Sequence, residues 1–93
     1  MSQYHILKRI YENAEKNNLT IKPSTNKNKK LDVYKENLFI KSIGAIGYGD
    51  YANYLKVDKD LAEKKRLSYI ARHKKGIDKG HIGEVLALKL LWS

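Results

Sequence analysis

The sequence predicts an α+β fold from three patterns along its 93 residues. Apolar residues recur at helical spacing near the N-terminus, form short extended runs at the centre, and are almost continuous at the C-terminus. The predicted order is N-terminal helix, linker, β-hairpin, glycine-rich corner, basic helix and apolar C-terminal helix. These elements divide the chain into a helix over residues 1–19, a linker over 20–30 and a small α+β domain over 31–93.

The N-terminal helix is predicted over residues 3–18, with Ser2 as its N-cap and Asn17 and Asn18 as terminators. Its apolar positions, spaced by three and four, are Tyr4, Leu7, Ile10, Tyr11 and Ala14. Such a stripe is typical of core packing. Residues 20–30 are polar and contain the only proline. They are predicted to form a linker. A linker would separate the helix from the domain, so the alternative to core packing is a detachable helix that docks on a partner.

The hairpin is predicted over residues 31–43, with Leu31, Val33 and Tyr34 in its first strand. Its second strand contains Leu38, Phe39, Ile40 and Ile43. Residues 35–37 have turn composition, and Asn37 can adopt left-handed backbone angles. Because the second strand is apolar at nearly consecutive positions, we expect burial on both faces near Phe39.

The corner follows as Gly-Ala-Ile-Gly-Tyr-Gly-Asp-Tyr, residues 44–51, and holds three of the six glycines. Glycine at this density indicates positive φ angles or close backbone approach. The predicted corner residues are Gly44, Gly47, Gly49, Asp50, Tyr51 and His73. We expect Asp50 or Tyr51 to contact the Arg72–His73 pair as a polar lock. A phosphate loop is disfavoured because the Lys-Ser/Thr pair is missing.

The basic helix is predicted from about Leu61 to Lys75, with Asp58 or Asp60 as its cap and Gly76 as its end. Asp60 and Glu63 fit a capping box. One side carries the candidate nucleic-acid-binding residues Lys64, Lys65, Arg72 and Lys75. The other side, Leu67, Ile70 and Ala71, is predicted to face the core.

The C-terminal helix from His81 to Trp92 is apolar nearly all round. It is therefore predicted to be the centre of the core or half of an interface. The candidate interface residues, which would support self-association or a larger assembly, are Leu88, Leu91 and Trp92.

Charge indicates the class of partner. The chain has 19 basic and 10 acidic residues, a net charge of +9. This favours nucleic acid, an anionic membrane or an acidic protein as partner. Lysine exceeds arginine by sixteen to three, which favours phosphate contact over base reading. Tyrosines at steps of three beside the basic helix could stack on bases or pack in the core: Tyr48, Tyr51 and Tyr54.

Several function classes are disfavoured. There is no cysteine, no apolar run of transmembrane length and no HExxH pattern. The three histidines are far apart in sequence, and no nucleophile–base set is apparent. We therefore expect no catalytic residues, no metal, no cofactor and no membrane partner.

Three motifs carry a resemblance: Gly44-Ala45-x-Gly47-Tyr48-x-Asp50-Tyr51, Tyr69-x-x-Arg72-His73 and Leu90-Leu91-Trp92. Together they resemble a family of small basic proteins of large double-stranded DNA viruses, the chlorella-virus and mimivirus-like relatives. The match covers about Leu31 to Trp92. It implies a viral protein, located in the virion or in the cytoplasm or viral factory of the infected cell. The family has no assigned activity, so no residue role follows from it.

These observations predict a small, basic, non-enzymatic viral protein that binds polyanions. Nucleic acid, bound through its phosphate backbone without sequence specificity, is the favoured partner. The alternative is a minor capsid or virion structural protein that cements larger subunits through the apolar helix and the detachable N-terminal arm.

Overall fold

The computed structural model describes residues 4–93, which contain four helices and three strands. In chain order they are α1 (Lys8–Lys16), β1 (Thr20–Pro23), β2 (Lys29–Lys35), β3 (Leu38–Ala45), α2 (Tyr51–Leu55), α3 (Lys59–Asp78) and α4 (Ile82–Leu90). The predicted α+β class is confirmed. The described residues form two compact units: a sheet unit, residues 4–48, and a helical unit, Gly49–Ser93.

The sheet is antiparallel with β2 at its centre, in the order β1-β2-β3. Glu36 and Asn37 form the turn between β2 and β3, and both have positive φ, 51° and 68°. Two consecutive left-handed residues make the tight turn whose twist matches that of the flanking strands. The predicted hairpin is therefore present, with Asn37 in the predicted conformation.

The predicted linker differs from the structure. Residues 20–30 contain all of β1 and the first two residues of β2. Ile21, opposite Val33, is buried and joins β1 to the core. Pro23 lies at the end of this edge strand, where a missing N–H is tolerated. Polar composition concealed the strand because only one face of it is apolar.

Helix α1 belongs to the sheet unit. Ser2, the predicted N-cap, lies outside the described residues, and α1 begins at Lys8 rather than at residue 3. Ile10 and Ala14 are buried, and α1 packs against β1. The helix ends where predicted, with Asn17 as C-cap and Asn18 at a φ of 56°. A detachable helix is therefore wrong, because its apolar stripe completes the core of the sheet unit.

The expected burial of β3 on both faces is also wrong. Phe39 is 56% exposed and Leu38 is 71% exposed. β3 is an edge strand, so the central position, and the burial that goes with it, belongs to β2. Leu31 and Val33 of β2 are fully buried.

A buried carboxylate joins all three strands. Asp32 Oδ1 accepts hydrogen bonds from the hydroxyls of Ser24 and Ser42, both at 2.6 Å. The backbone N–H of Thr25 donates to Asp32 Oδ2 at 3.3 Å. Burial alone would raise the pKa of Asp32, but these hydrogen bonds outweigh it and hold the pKa below its usual 3.8.

The helical unit begins at a buried cap. Asp50 is 1% exposed and forms a capping box with Asn53, whose Oδ1 accepts from the Asp50 N–H at 2.9 Å. Helix α3 is capped by Asp58, which accepts from the Asp60 N–H at 2.9 Å, so the predicted box of Asp60 and Glu63 is not the cap. The helix passes through Gly76 and ends before Gly80, whose φ is 73°.

Candidate nucleic-acid interface

The core-facing side of α3 is not the predicted one. Leu67 is 55% exposed, Ala71 is exposed and Ile70 is only half-buried. The buried residues of α3 are Ala62, Tyr69 and Gly76, and the half-buried Arg66 and His73 lie on the same side at steps of four and three. This face is small, aromatic and polar, so a search for aliphatic periodicity does not find it.

This side of α3 packs through an aromatic ladder, which we define as the stacked rings of Tyr54, Trp92, Tyr69 and His73. Ring centroids are 6.3 Å apart from Tyr54 to Trp92, then 5.1 Å to Tyr69 and 4.3 Å to His73. Arg66 Nε donates to the carbonyl oxygen of Trp92 at 2.9 Å, which fixes the C-terminal residues against α3.

One carboxylate lies at the end of the ladder. Glu84 Oε2 is 2.7 Å from His73 Nδ1, and Glu84 Oε1 is 3.4 Å from His81 Nδ1. A Cβ on residue 76 would lie 1.8 Å from Glu84 Oε1, so only glycine leaves room for this carboxylate. Burial raises the pKa of Tyr69 above 10.0, Glu84 raises it further, and Arg72 opposes the change.

This geometry corrects the predicted polar lock. His73 pairs with Glu84 and stacks on Tyr69, while Asp50 caps α2. The Tyr51 hydroxyl lies 3.4 Å from Glu63 Oε2. The contacts of His73 are thus with Glu84 and Tyr69, not with the corner residues.

The corner glycines serve two purposes. Gly44 and Gly47 have φ angles of 82° and 98°, which favour glycine. Gly49 instead permits close approach, since a Cβ there would lie 3.0 Å from the ring of Tyr54. The glycine-rich sequence thus correctly indicated positive φ angles and close approach in this segment.

The basic residues of α3 lie outside the core-facing side. Lys64, Lys65, Arg72 and Lys75 are all exposed, and successive turns place them within a sector of about 100°. Lys79, the C-cap residue, falls in the same sector and is also exposed. We call these five residues the cationic stripe. Sequence reasoning missed Lys79 because it ended the helix at Gly76.

The acidic residues of α3 lie elsewhere around its axis. Asp60, Glu63 and Asp78 share a second sector, centred about 120° from the centre of the stripe. Two basic residues near them are paired, since Lys74 Nζ is 3.0 Å from Asp78 and Arg66 is 3.6 Å from Glu63. Along this helix of about 30 Å, the stripe thus contains no carboxylate, while the other cations of α3, Lys59, Arg66 and Lys74, lie on the side that carries the carboxylates.

Lys65 joins the stripe to the ladder. Its Nζ lies 5.6 Å from the ring centroid of Tyr54, within the range of a cation–π contact. Of the other tyrosines proposed for stacking, Tyr48 is 75% exposed and Tyr51 is half-buried. The three tyrosines therefore have different environments and do not form one exposed surface.

Two of the predicted interface residues are in the core. Leu91 is 2% exposed and Trp92 is 9% exposed, and Leu88 is half-buried. The carbonyl oxygen of Leu91 accepts from the N–H of Tyr51 at 3.0 Å. The apolar C-terminal helix is the centre of a core, one of the two predicted roles.

Among residues 4–93, no cluster of His, Asp or Glu side chains is arranged to hold a metal ion. No helix in that range is both long and apolar enough to cross a membrane. Comparisons of the sequence with protein-family models, characterised proteins and solved structures find no match.

Proposed function

We propose that this protein binds nucleic acid through the phosphate backbone, without reading base sequence and without catalysing a reaction. The observation that carries the proposal is the cationic stripe on α3, whose five exposed cations share one sector without a carboxylate. A helix that merely keeps a protein soluble has no need to separate its charges, whereas a polyanion site requires one continuous cationic surface.

The composition of the stripe supports backbone contact. Four of its five cations are lysines, which act as hydrated point charges, and the fifth is Arg72. Guanine is usually read by arginine in a fork geometry, so this surface is suited to phosphates in any sequence. Lys64 and Lys79 are about 22 Å apart along the axis, which allows contact with several phosphates.

The resemblance to small basic proteins of large DNA viruses leads us to propose a role in the virion or the infected cell. The alternative, a capsid cement, depended on Leu88, Leu91 and Trp92 as an interface and on a detachable N-terminal arm, which instead packs on β1. Because Leu91 and Trp92 are buried, we favour nucleic acid as the partner.

The proposal predicts a defined dependence on salt. If the five cations of the stripe each contact one phosphate, the slope of log K against log salt concentration is about −4.5, since each contact contributes about −0.9. Replacing Lys65 and Arg72 with glutamine should bring the slope to about −2.7. Fluorescence anisotropy with a labelled DNA duplex across a salt series measures both values.

A matched control removes equal charge from another side of α3. Lys59 and Lys74 lie outside the stripe and are exposed, so Lys59→Gln with Lys74→Gln should leave the slope unchanged. Circular dichroism checks that both double variants remain folded. Equal slopes for the two double variants, or no salt dependence in the wild-type protein, would overturn the proposal.

A further inference from the structure

The sheet has one apolar face and one partly open face. Ile21, Leu31, Val33 and Ile43 share the apolar face, and each is at most 5% exposed. On the other face, the end near the corner is covered. Lys30 is buried there and donates from Nζ to the carbonyl oxygen of Tyr48 at 2.5 Å. The end near the hairpin turn is open and carries Lys22, Tyr34 and Phe39.

A β-bulge creates this open end. Val33 is paired with Lys41, but the next residue of β2, Tyr34, is paired with Phe39 rather than Ile40. Ile40 is the extra residue of the bulge. In a regular register without a bulge, Ile40 would lie opposite Tyr34. The bulge thus brings two aromatic rings together, with centroids 5.7 Å apart and planes inclined by 72°.

The pair is accessible and lies beside a cation. Phe39 is 56% exposed, and Tyr34 is half-buried. Lys22 Nζ is 5.2 Å from the centroid of Tyr34. The one carboxylate of this face in the described strands, Asp32, is 5% exposed and accepts hydrogen bonds from two serines. The sheet unit as a whole has nine basic and four acidic residues, a net charge of +5.

We propose that Tyr34 and Phe39 form a stacking site for the bases of single-stranded nucleic acid. Exposed rings beside a lysine on a cationic sheet suit unpaired bases, which offer both a flat apolar face and a nearby phosphate. Bases inside a duplex stack on each other and cannot reach such a surface. The inference rests on the proposed function for the class of ligand, but its residues lie in the other unit.

The test compares neighbouring residues of β3. Phe39→Ala removes a ring of the site, whereas Leu38→Ala removes an even more exposed apolar side chain that points to the other face. Anisotropy with labelled single-stranded oligothymidylate should show affinity falling about 5- to 150-fold for Phe39→Ala, the range for loss of one base stack. Leu38→Ala should bind like wild type. The salt slope should not change in either, because no charge is lost.

Folding is controlled with a second variant. Phe39→Leu keeps an apolar contact across the strands and removes the aromatic ring, so it should lose single-strand affinity even if Phe39→Ala unfolds. Failure of both variants to weaken oligothymidylate binding more than Leu38→Ala would overturn the inference. So would a wild-type dimer, seen by sedimentation, that Phe39→Leu dissociates, since the face would then be a self-association surface.

The two proposals fail separately. Loss of the stripe should reduce the salt slope on duplex DNA, whereas loss of Phe39 should act on the single strand and leave duplex affinity within about twofold. If duplex affinity does not depend on salt but oligothymidylate affinity depends on Phe39, the proposed phosphate contacts of the stripe are wrong and the stacking site stands. A steep duplex series with no effect of Phe39 does the reverse.

Discussion

The sheet unit and the helical unit both bury aliphatic side chains, but only the core of the helical unit adds stacked aromatic rings. The core of the sheet unit is aliphatic and alternates along β2 as Leu31 and Val33. The core-facing side of α3 is an alanine, an arginine, two rings and a glycine. Hydropathy therefore finds the aliphatic part of both cores and misses the packed side of α3, because Tyr, His and Arg count as polar.

Truncation of the ladder at its centre is expected to have the largest effect. Trp92 stacks on both Tyr54 and Tyr69, so Trp92→Ala should lower the free energy of unfolding by about 3–5 kcal/mol, as for other large buried rings. Leu67→Ala, at an exposed site on α3, should change it by less than about 0.5 kcal/mol. Denaturant unfolding followed by circular dichroism measures both. A larger loss at Leu67 than at Trp92 would restore the aliphatic core predicted from sequence.

The polar network of the sheet unit should have an intermediate effect. Asp32→Ala leaves the hydroxyls of Ser24 and Ser42 without their acceptor and should cost about 2–3 kcal/mol. Because the pKa of Asp32 in the folded protein is below the unfolded value of 3.8, its stabilisation is present above that pH. It is lost as the pH falls from about 4 through the folded pKa.

Asp32→Asn should therefore show a smaller loss of stability in acid than wild type. Glu36→Gln, in the exposed turn, serves as the control for removal of a carboxylate. Thermal melts between neutral pH and pH 2 compare the three proteins. Parallel curves for wild type and Asp32→Asn would show that the acid sensitivity comes from other groups.

Substitution of Gly76, beside the Glu84 carboxylate, should have the smallest effect on the free energy of unfolding. The effect should also depend on whether Glu84 is present. Alanine is favoured over glycine inside a helix by about 1 kcal/mol. In wild type, Gly76→Ala displaces the Glu84 carboxylate from His73, and this loss should cancel the gain. In a Glu84→Ala background the gain should appear in full. A double-mutant cycle on unfolding free energies measures the difference, and an additive cycle would remove Glu84 from the role assigned to it.

Sequence patterns predicted most of the hairpin and the corner. Asn37 and the glycines made those elements visible, because left-handed backbone angles have a strong residue preference. β1 stayed hidden because a four-residue edge strand with one buried side chain resembles a loop. The burial of Asp32 was also invisible, since its acceptor role depends on Ser24 and Ser42, eight and ten residues from it in sequence, which strand pairing brings beside it.

The candidate interface was partly predictable. The angular positions of Lys64, Lys65, Arg72 and Lys75 follow from helix geometry alone, so the stripe could be found before the fold. Including Lys79 in the stripe requires knowing that α3 continues to Asp78. The core-facing role of Gly76 and the pairing of His73 with Glu84 are contacts between two helices, which no periodicity within one helix specifies.

The charge sectors of α3 also have a kinetic consequence. A helix with cations on one side and carboxylates on another has a dipole moment across its axis, in addition to the one along it. If the partner is the proposed polyanion, its field would exert a torque on this transverse dipole and orient the molecule before contact. Such pre-orientation raises the fraction of diffusional encounters that succeed, within a range of about 10 Å at 0.1 M salt.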